Sequence, residues 1–326
     1  MRYFVTGGTG LLGNNVLRSL TAAGHTSIAL TRRDVPAEVR EGIDAEWVRG
    51  DLTDPGGLAR HLEGCDAAIH SAGLIHLGWR RRDESMRVNR DGTAAVAAAC
   101  RSAGVRMVHV GTVNTMAIGT PDRPSDERSE RTNFGGQVPS TYVLTKFAAN
   151  EAVDGEVERG LSAVKVHPGF MLGPYDWKPS SGRMYVEVAR AWRPLAPTGG
   201  CSVCDVRDVA AGVLAASTAD VRSGRDYILA GHNVTYLDLW TRFARRAGRR
   251  PPLKTLGPLP RWIGSRGGDL LTRLTGTERD INSAAIEMSS QHHWHDSTRA
   301  REELGYHIRP LTETLDDAAA WLSRFP

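Results

Sequence analysis

Met1-Arg2-Tyr3-Phe4-Val5-Thr6-Gly7-Gly8-Thr9-Gly10-Leu11-Leu12-Gly13 opens the chain. Arg2 to Val5 is a β-favouring run closed by Thr6, glycines follow at 7, 8, 10 and 13, and Asn14-Asn15-Val16-Leu17-Arg18-Ser19-Leu20 takes up helical spacing. The reading is strand, glycine turn, helix. Glycine at 7, 10 and 13 answers three needs: a tight turn with φ freedom, a backbone that a pyrophosphate can approach without a Cβ in the way, and close packing of the helix on its strand. The first N–H groups of that helix then face the phosphates. Gly7, Thr9, Gly10, Leu11, Leu12 and Gly13 are therefore the expected cradle of a dinucleotide, with G-x-x-G-x-x-G spacing counted from Gly7.

Thr6-Gly7-Gly8-Thr9-Gly10-Leu11-Leu12-Gly13 resembles the opening of the extended short-chain dehydrogenase/reductase superfamily. The resemblance implies an α/β fold, a doubly wound parallel Rossmann sheet with a smaller, mostly helical C-terminal substrate lobe. Residues 1–168 plus 201–231 would form the NADP-binding unit, and 169–200 plus 232–326 the lobe. With 326 residues and 40% hydrophobic content the chain has enough apolar surface for such a core. The first residue already stands at the edge of a strand and no apolar run approaches membrane-spanning length, so a soluble, cytoplasmic protein is expected, with no membrane partner. Four cysteines (65, 100, 201 and 204) make no disulfide framework at this length, and Cys201-x-x-Cys204 lacks the second pair of a zinc site. His292-His293-Trp294-His295 is read as packing or exposed, so no metal is expected. The net charge is +4, yet the arginines are scattered and no aromatic platforms interleave them, which argues against nucleic acid.

Ser27 to Thr31 reads as the second strand, and Arg32 and Arg33 stand where it ends. In a dinucleotide fold that position faces the adenosine ribose, where an acid would hold a 2′-OH and an arginine accommodates a 2′-phosphate. Two arginines before the first acid, Asp34, favour NADP over NAD. A third strand leads into Asp51-Leu52, which the resemblance places beside the adenine. Ala67 to His70 is a buried strand running into Ser71-Ala72-Gly73, whose small side chains let a cofactor lie against backbone. His70 fits the superfamily's H-x-A signature and is read as structural. Arg87 to about Ser102 reads as one Ala-rich helix. Asn89, near its start, matches the recurrent asparagine that ties active-site elements together.

Arg106 to Val110 is another strand, followed by Gly111-Thr112, where most relatives carry Ser-Ser. A threonine hydroxyl supplies what the second position needs, since it both donates and accepts, and Thr115 is a nearby competitor for that task. After a proline-containing loop, 120–140, Tyr142 and Lys146 lie four apart on one helical face. A free phenol titrates near 10, and a neighbouring ammonium would favour its ionised form. Thr112, Tyr142 and Lys146 are the expected catalytic set, with Lys146 also holding the cofactor ribose. The resemblance puts the Pro168-Gly169 turn over the nicotinamide end.

Asp176-Trp177-Lys178-Pro179-Ser180-Ser181-Gly182-Arg183 narrows the resemblance to the dihydroflavonol-4-reductase-like branch. The expected activity is NADP-dependent reduction of a ketone on a small or polycyclic organic substrate, as in secondary metabolism. The rival is a nucleotide-sugar epimerase or dehydratase using the same machinery, and a non-catalytic NADP-sensing protein is a third class. Sugar enzymes of the superfamily commonly place an arginine seven residues before the aspartate corresponding to Asp208, where this chain has Cys201. Plant flavonoid reductases carry an asparagine where this chain has Ala117. Relatives often pair through helices equivalent to about 85–102 and 142–158, so a homodimer is an expected partner arrangement.

Overall fold

The structure is a computed structural model and describes residues 1–130, 136–257 and 283–325. In chain order its strands are β1 (Arg2–Thr6), β2 (Thr26–Thr31), β3 (Glu46–Arg49), β4 (Ala67–His70), β5 (Arg106–Val110), β6 (Ala163–Pro168), β7 (Phe170–Leu172), β8 (Leu195–Ala196), β9 (Gly200–Asp205), β10 (Arg225–Leu229), β11 (His232–Thr235), β12 (Lys254–Thr255) and β13 (His292–His293). Seven of them form one sheet in the order β10-β6-β5-β4-β1-β2-β3, every pair parallel. The order reverses between β1 and β4. In open α/β sheets the crevice at such a reversal, beyond the carboxyl ends of the strands, is where ligands bind.

Both faces of this sheet are covered, so its strands are apolar on both sides. On one face Val5, Ile69, Val108 and Val166 pack with Val16, Leu17 and Leu20 of helix Leu11–Ala22 and with Val209 and Val213 of helix Val206–Thr218. On the other, Phe4, Ala68 and Met107 meet helices Pro55–Leu62, Gly92–Ala103 and Thr141–Glu158 through Leu58, Val96 and Val153. A second core holds the lobe: Leu172, Tyr185, Cys201, Val203, Phe243 and Trp321 are all buried in it.

The stretch from β9 through the helix Val206–Thr218 straddles both units. From Cys201 on, β9 falls within the 201–231 stretch assigned to the NADP-binding unit, and it pairs with β7, β11 and β13 in a separate small sheet. The helix that follows it, Val206–Thr218, packs on the large sheet. A salt-bridge network fixes this crossing: Asp205 caps the helix by accepting from Arg207 N at 2.9 Å, and Arg309 donates to Asp208 from its backbone and guanidinium at 2.8–2.9 Å. The Ala-rich helix departs from expectation. A short helix Arg82–Met86 precedes it, and the expected span divides into a wide π-turn Arg87–Asp91 and helix Gly92–Ala103. The extra residue of such a turn re-aims side chains, and here Asn89 is buried against the loop after β4. The amphipathic stretch Leu270 to Leu274 lies outside the described residues.

Candidate active site

The glycine turn has the cramped geometry its sequence requires. Gly7 has φ +78°, in the left-handed region, and a Cβ there would lie 2.6 Å from Ala72 N and 2.8 Å from Ser71 Oγ. A Cβ on Gly13 would lie 2.2 Å from the Gly7 carbonyl oxygen. Helix Leu11–Ala22 therefore sits directly on the turn. Leu11 and Leu12 are buried in the core, Thr9 and Gly10 are exposed, and the N-cap, Gly10, has no side chain to occupy the first N–H groups. Those donors and the positive helix end fit an anionic pyrophosphate. Ser71 donates to the Thr6 carbonyl at 3.0 Å, which locks the end of β4 onto β1 and brings Ser71 and Ala72 alongside Gly7, while Gly73 lies against Asn89.

Arg32 and Arg33 are exposed beyond β2. Asp51, after β3, accepts from Thr53 N at 2.9 Å and Thr53 Oγ1 at 2.7 Å, and these bonds hold its carboxyl below the usual range. Leu52 packs on Gly92.

The loop after β4 is tied to the helix that carries Tyr142 and Lys146 by one side chain. Asn89 accepts from Leu74 N at 2.7 Å, donates to Leu74 O at 2.9 Å and donates to Thr145 Oγ1 at 2.9 Å. Thr145 was not anticipated, since nothing in local spacing marks a threonine that answers an asparagine fifty-six positions away. His70 spends both ring nitrogens inside the core, Nδ1 with Thr6 Oγ1 at 2.7 Å and Nε2 with Thr93 Oγ1 at 3.0 Å. Burial pushes its pKa down to about 3, so it stays neutral.

Helix Thr141–Glu158 is capped by Ser140, whose hydroxyl accepts from Val143 N at 3.3 Å. Its first turn sets Tyr142, half-buried, beside the Thr112 side chain at the end of β5, whose hydroxyl opposes the effect of burial on the phenol. Thr115 does not compete. Its hydroxyl donates its one proton to Thr112 O at 2.8 Å and accepts from Asn150 Nδ2 at 3.0 Å, so it has no proton left to give a substrate oxygen. The glycine at 111 also has a reason: a Cβ there would lie 2.5 Å from the His167 ring.

Lys146 is buried and donates to the Val110 carbonyl at 2.7 Å, and burial lowers its pKa to about 8. The expected electrostatic coupling takes a different form. Burial raises the Tyr142 pKa, and the opposing influence comes from the Thr112 hydroxyl. The phenol therefore keeps its proton at neutral pH. Pro168 is buried at the end of β6, and a Cβ on Gly169 would lie 2.5 Å from Ser202 O, so this turn is pressed against β9.

A sequence profile for the NAD dependent epimerase/dehydratase family matches residues 3–230. The chain belongs to that family. The match ends just before β11. Within the family, the chain is 28% identical, over 98% of its length and 94% of the relative's, to a Synechocystis protein that carries a dihydroflavonol 4-reductase name. Sterol demethylase protein B of Methylococcus capsulatus is 30% identical over 98% of both chains. A Stigmatella aurantiaca protein named as a 4-hydroxy-2-methyl-3-oxo-4-farnesyl-3,4-dihydroquinoline-1-oxide ketoreductase is 34% identical over 67% of this chain and 64% of its own. Among solved structures, gox2253 superposes with a TM-score of 0.85 at 30% identity, covering 99% of this chain and 98% of that one. PA4631, a nucleoside-diphosphate-sugar epimerase of Pseudomonas aeruginosa, gives 0.80 at 28% with the same coverage. This epimerase/dehydratase-family chain is an NAD(P)-dependent oxidoreductase.

The lobe residues seen in the sequence fall into packing roles. Cys201 and Cys204 are buried on β9, and burial pushes both thiols up, which leaves them unreactive. His293 meets Met288 O at 3.0 Å, and His295 meets Ser125 Oγ at 2.8 Å. The Asp176 segment is a staple. Asp176 is buried and accepts from Ser180 N at 3.4 Å, Trp177 packs edge-on against Trp321 at 4.8 Å, and Arg18 lies 3.6 Å over the Tyr175 ring. No described helix is long and apolar enough to cross a membrane.

Proposed function

We propose that this chain is an NADP-dependent ketoreductase, which reduces a ketone on a small or polycyclic organic skeleton to a secondary alcohol in secondary metabolism. The observation that carries this reading is the Tyr142 phenol set beside the Thr112 side chain at the carboxyl end of β5, one helical turn from buried Lys146. When bound, the nicotinamide supplies the hydride. Tyr142 donates its proton to the carbonyl oxygen as that oxygen gains charge, and its raised pKa keeps it protonated for that task. Thr112 orients the oxygen, Lys146 holds the ribose, and the glycine turn with the helix end holds the pyrophosphate. Arg32 and Arg33, exposed past β2, support NADP through charge-assisted hydrogen bonds to a 2′-phosphate.

The reductase names of several relatives favour a ketone, whereas the PA4631 similarity keeps the nucleotide-sugar reading as the alternative. Cys201 weighs against a sugar diphosphate, because it is uncharged and buried in the lobe core. Calorimetry with UDP, dTDP and GDP against the NADP-loaded protein is the test. The ketone reading expects no binding in the micromolar range, and micromolar binding of any of the three would replace it with the sugar one.

A further inference from the structure

Arg32 and Arg33 are neighbours in sequence, but the fold gives Arg32 a different companion. β2 and β3 are parallel neighbours with Thr31 opposite Arg49, so Arg32 emerges beside the exit of β3, where Asp51 and Leu52 follow. Leu52 is packed against the start of helix Gly92–Ala103: a Cβ on Gly92 would meet Leu52 Cδ1 at 3.1 Å and Leu52 Cβ at 3.2 Å. Gly92 directly follows the π-turn Arg87–Asp91. The packing thus brings the Arg87 turn to the same wall that Arg32 borders.

The charges agree with this placement. Asp51 is held ionised first by its bonds to Thr53 and then by Arg32 and Arg87. Glu84 is held ionised first by Arg81, which grips it with two bonds of 2.8 and 2.9 Å, and then by Arg87 and Arg32. Two guanidinium groups from different elements therefore act through space on the same two carboxylates, while both side chains stay exposed. Arg33 is fixed locally through its backbone, where Thr31 Oγ1 accepts from Arg33 N at 3.3 Å and donates to Arg33 O at 2.6 Å, and the charges acting on Asp51 and Glu84 are those of Arg32 and Arg87. A phosphate monoester has three acceptor oxygens and nearly two charges. It suits two converging guanidiniums better than one.

We propose that Arg87 is the second arginine of the 2′-phosphate site, facing Arg32 across the Asp51-Leu52 turn, and that Arg87 rather than Arg33 sets the preference for NADP over NAD. This rests on the NADP reading above and names the residue that enforces it. Glu84 is then a competing anion. Bonded to Arg81, it lies in the field of the cations that the phosphate needs and repels the phosphate itself.

The test is titration of NADPH and NADH, followed by nicotinamide fluorescence, against the full chain and its Arg32→Ala, Arg33→Ala, Arg87→Ala and Glu84→Gln variants. Arg87→Ala should weaken NADPH about tenfold or more and leave NADH within about twofold, since only the phosphate contact is lost. Arg33→Ala should weaken NADPH less than Arg87→Ala does and leave NADH unchanged. Glu84→Gln should tighten NADPH and not NADH, a gain that a purely structural Arg87–Glu84 contact would not produce. Arg87→Lys should retain part of the preference. If wild type prefers NADPH and Arg87→Ala keeps that preference, whether by weakening both cofactors equally or neither, Arg87 has no such role. A wild type with equal affinities would remove the NADP reading itself, and this proposal with it.

Discussion

Lys146 is held at a cost to the fold, and the cost can be measured through pH. Its ammonium is buried with one bond to the Val110 carbonyl, and its pKa stands at about 8 against an ordinary 10.5. At about 1.4 kcal/mol per pKa unit, that difference corresponds to about 3 kcal/mol against the charged form in the folded state. The sign follows from proton counting. Below pH 8 both states are protonated and the folded protein carries the full cost. Between 8 and 10.5 the unfolded chain binds more protons than the folded one, so stability rises with pH and the cost disappears. Lys146→Met keeps the stem and removes the charge. Its stability relative to wild type also includes the lost Val110 bond, but that contribution does not change with pH. The advantage of the variant should therefore shrink by about 3 kcal/mol from pH 7 to beyond pH 10. Urea unfolding of the cofactor-free protein, followed by tryptophan fluorescence at pH 7, 8, 9 and 10, measures it. A difference between variant and wild type that stays constant over this range would refute the reasoning.

Two further predictions concern the proton chemistry. Tyr142→Phe removes the proposed proton donor and should lower turnover about 10²–10⁴-fold with cofactor affinity nearly intact, and turnover within threefold of wild type in steady-state assays would end the assignment. Thr112→Val should also lower turnover, whereas Thr115→Val should leave turnover in place and instead cost about 1–3 kcal/mol of stability by stranding the Asn150 amide, a contrast read by pairing kinetics with unfolding.

The sequence and the fold divide this protein between them in a way that follows the range of the forces involved. Met1 to Gly13 determined the strand, the turn and the helix, because a left-handed Gly7 and the absence of a Cβ at Gly13 are local steric requirements written residue by residue. The spacing of Tyr142 and Lys146 determined a shared helical face for the same reason. Order along the chain was enough to place Thr112 at a strand end. Between Thr112 and Thr115 the sequence left a choice, and only the tertiary structure made it, because Asn150 and the Thr112 carbonyl claim the Thr115 hydroxyl. The placement of β9 was equally beyond the sequence: a buried strand pairs with whichever edge the chain's crossings bring to it, and Cys201 to Asp205 carries no mark distinguishing one sheet from the other. The direction of the Tyr142 pKa depended on the balance between burial and neighbouring charge, which spacing cannot weigh. Thr145 and Arg87 became visible only when Asn89 and Leu52 were seen to touch other elements. Local geometry is encoded in adjacent residues. The contacts that tune a site join positions far apart in the chain, and folding alone brings them together.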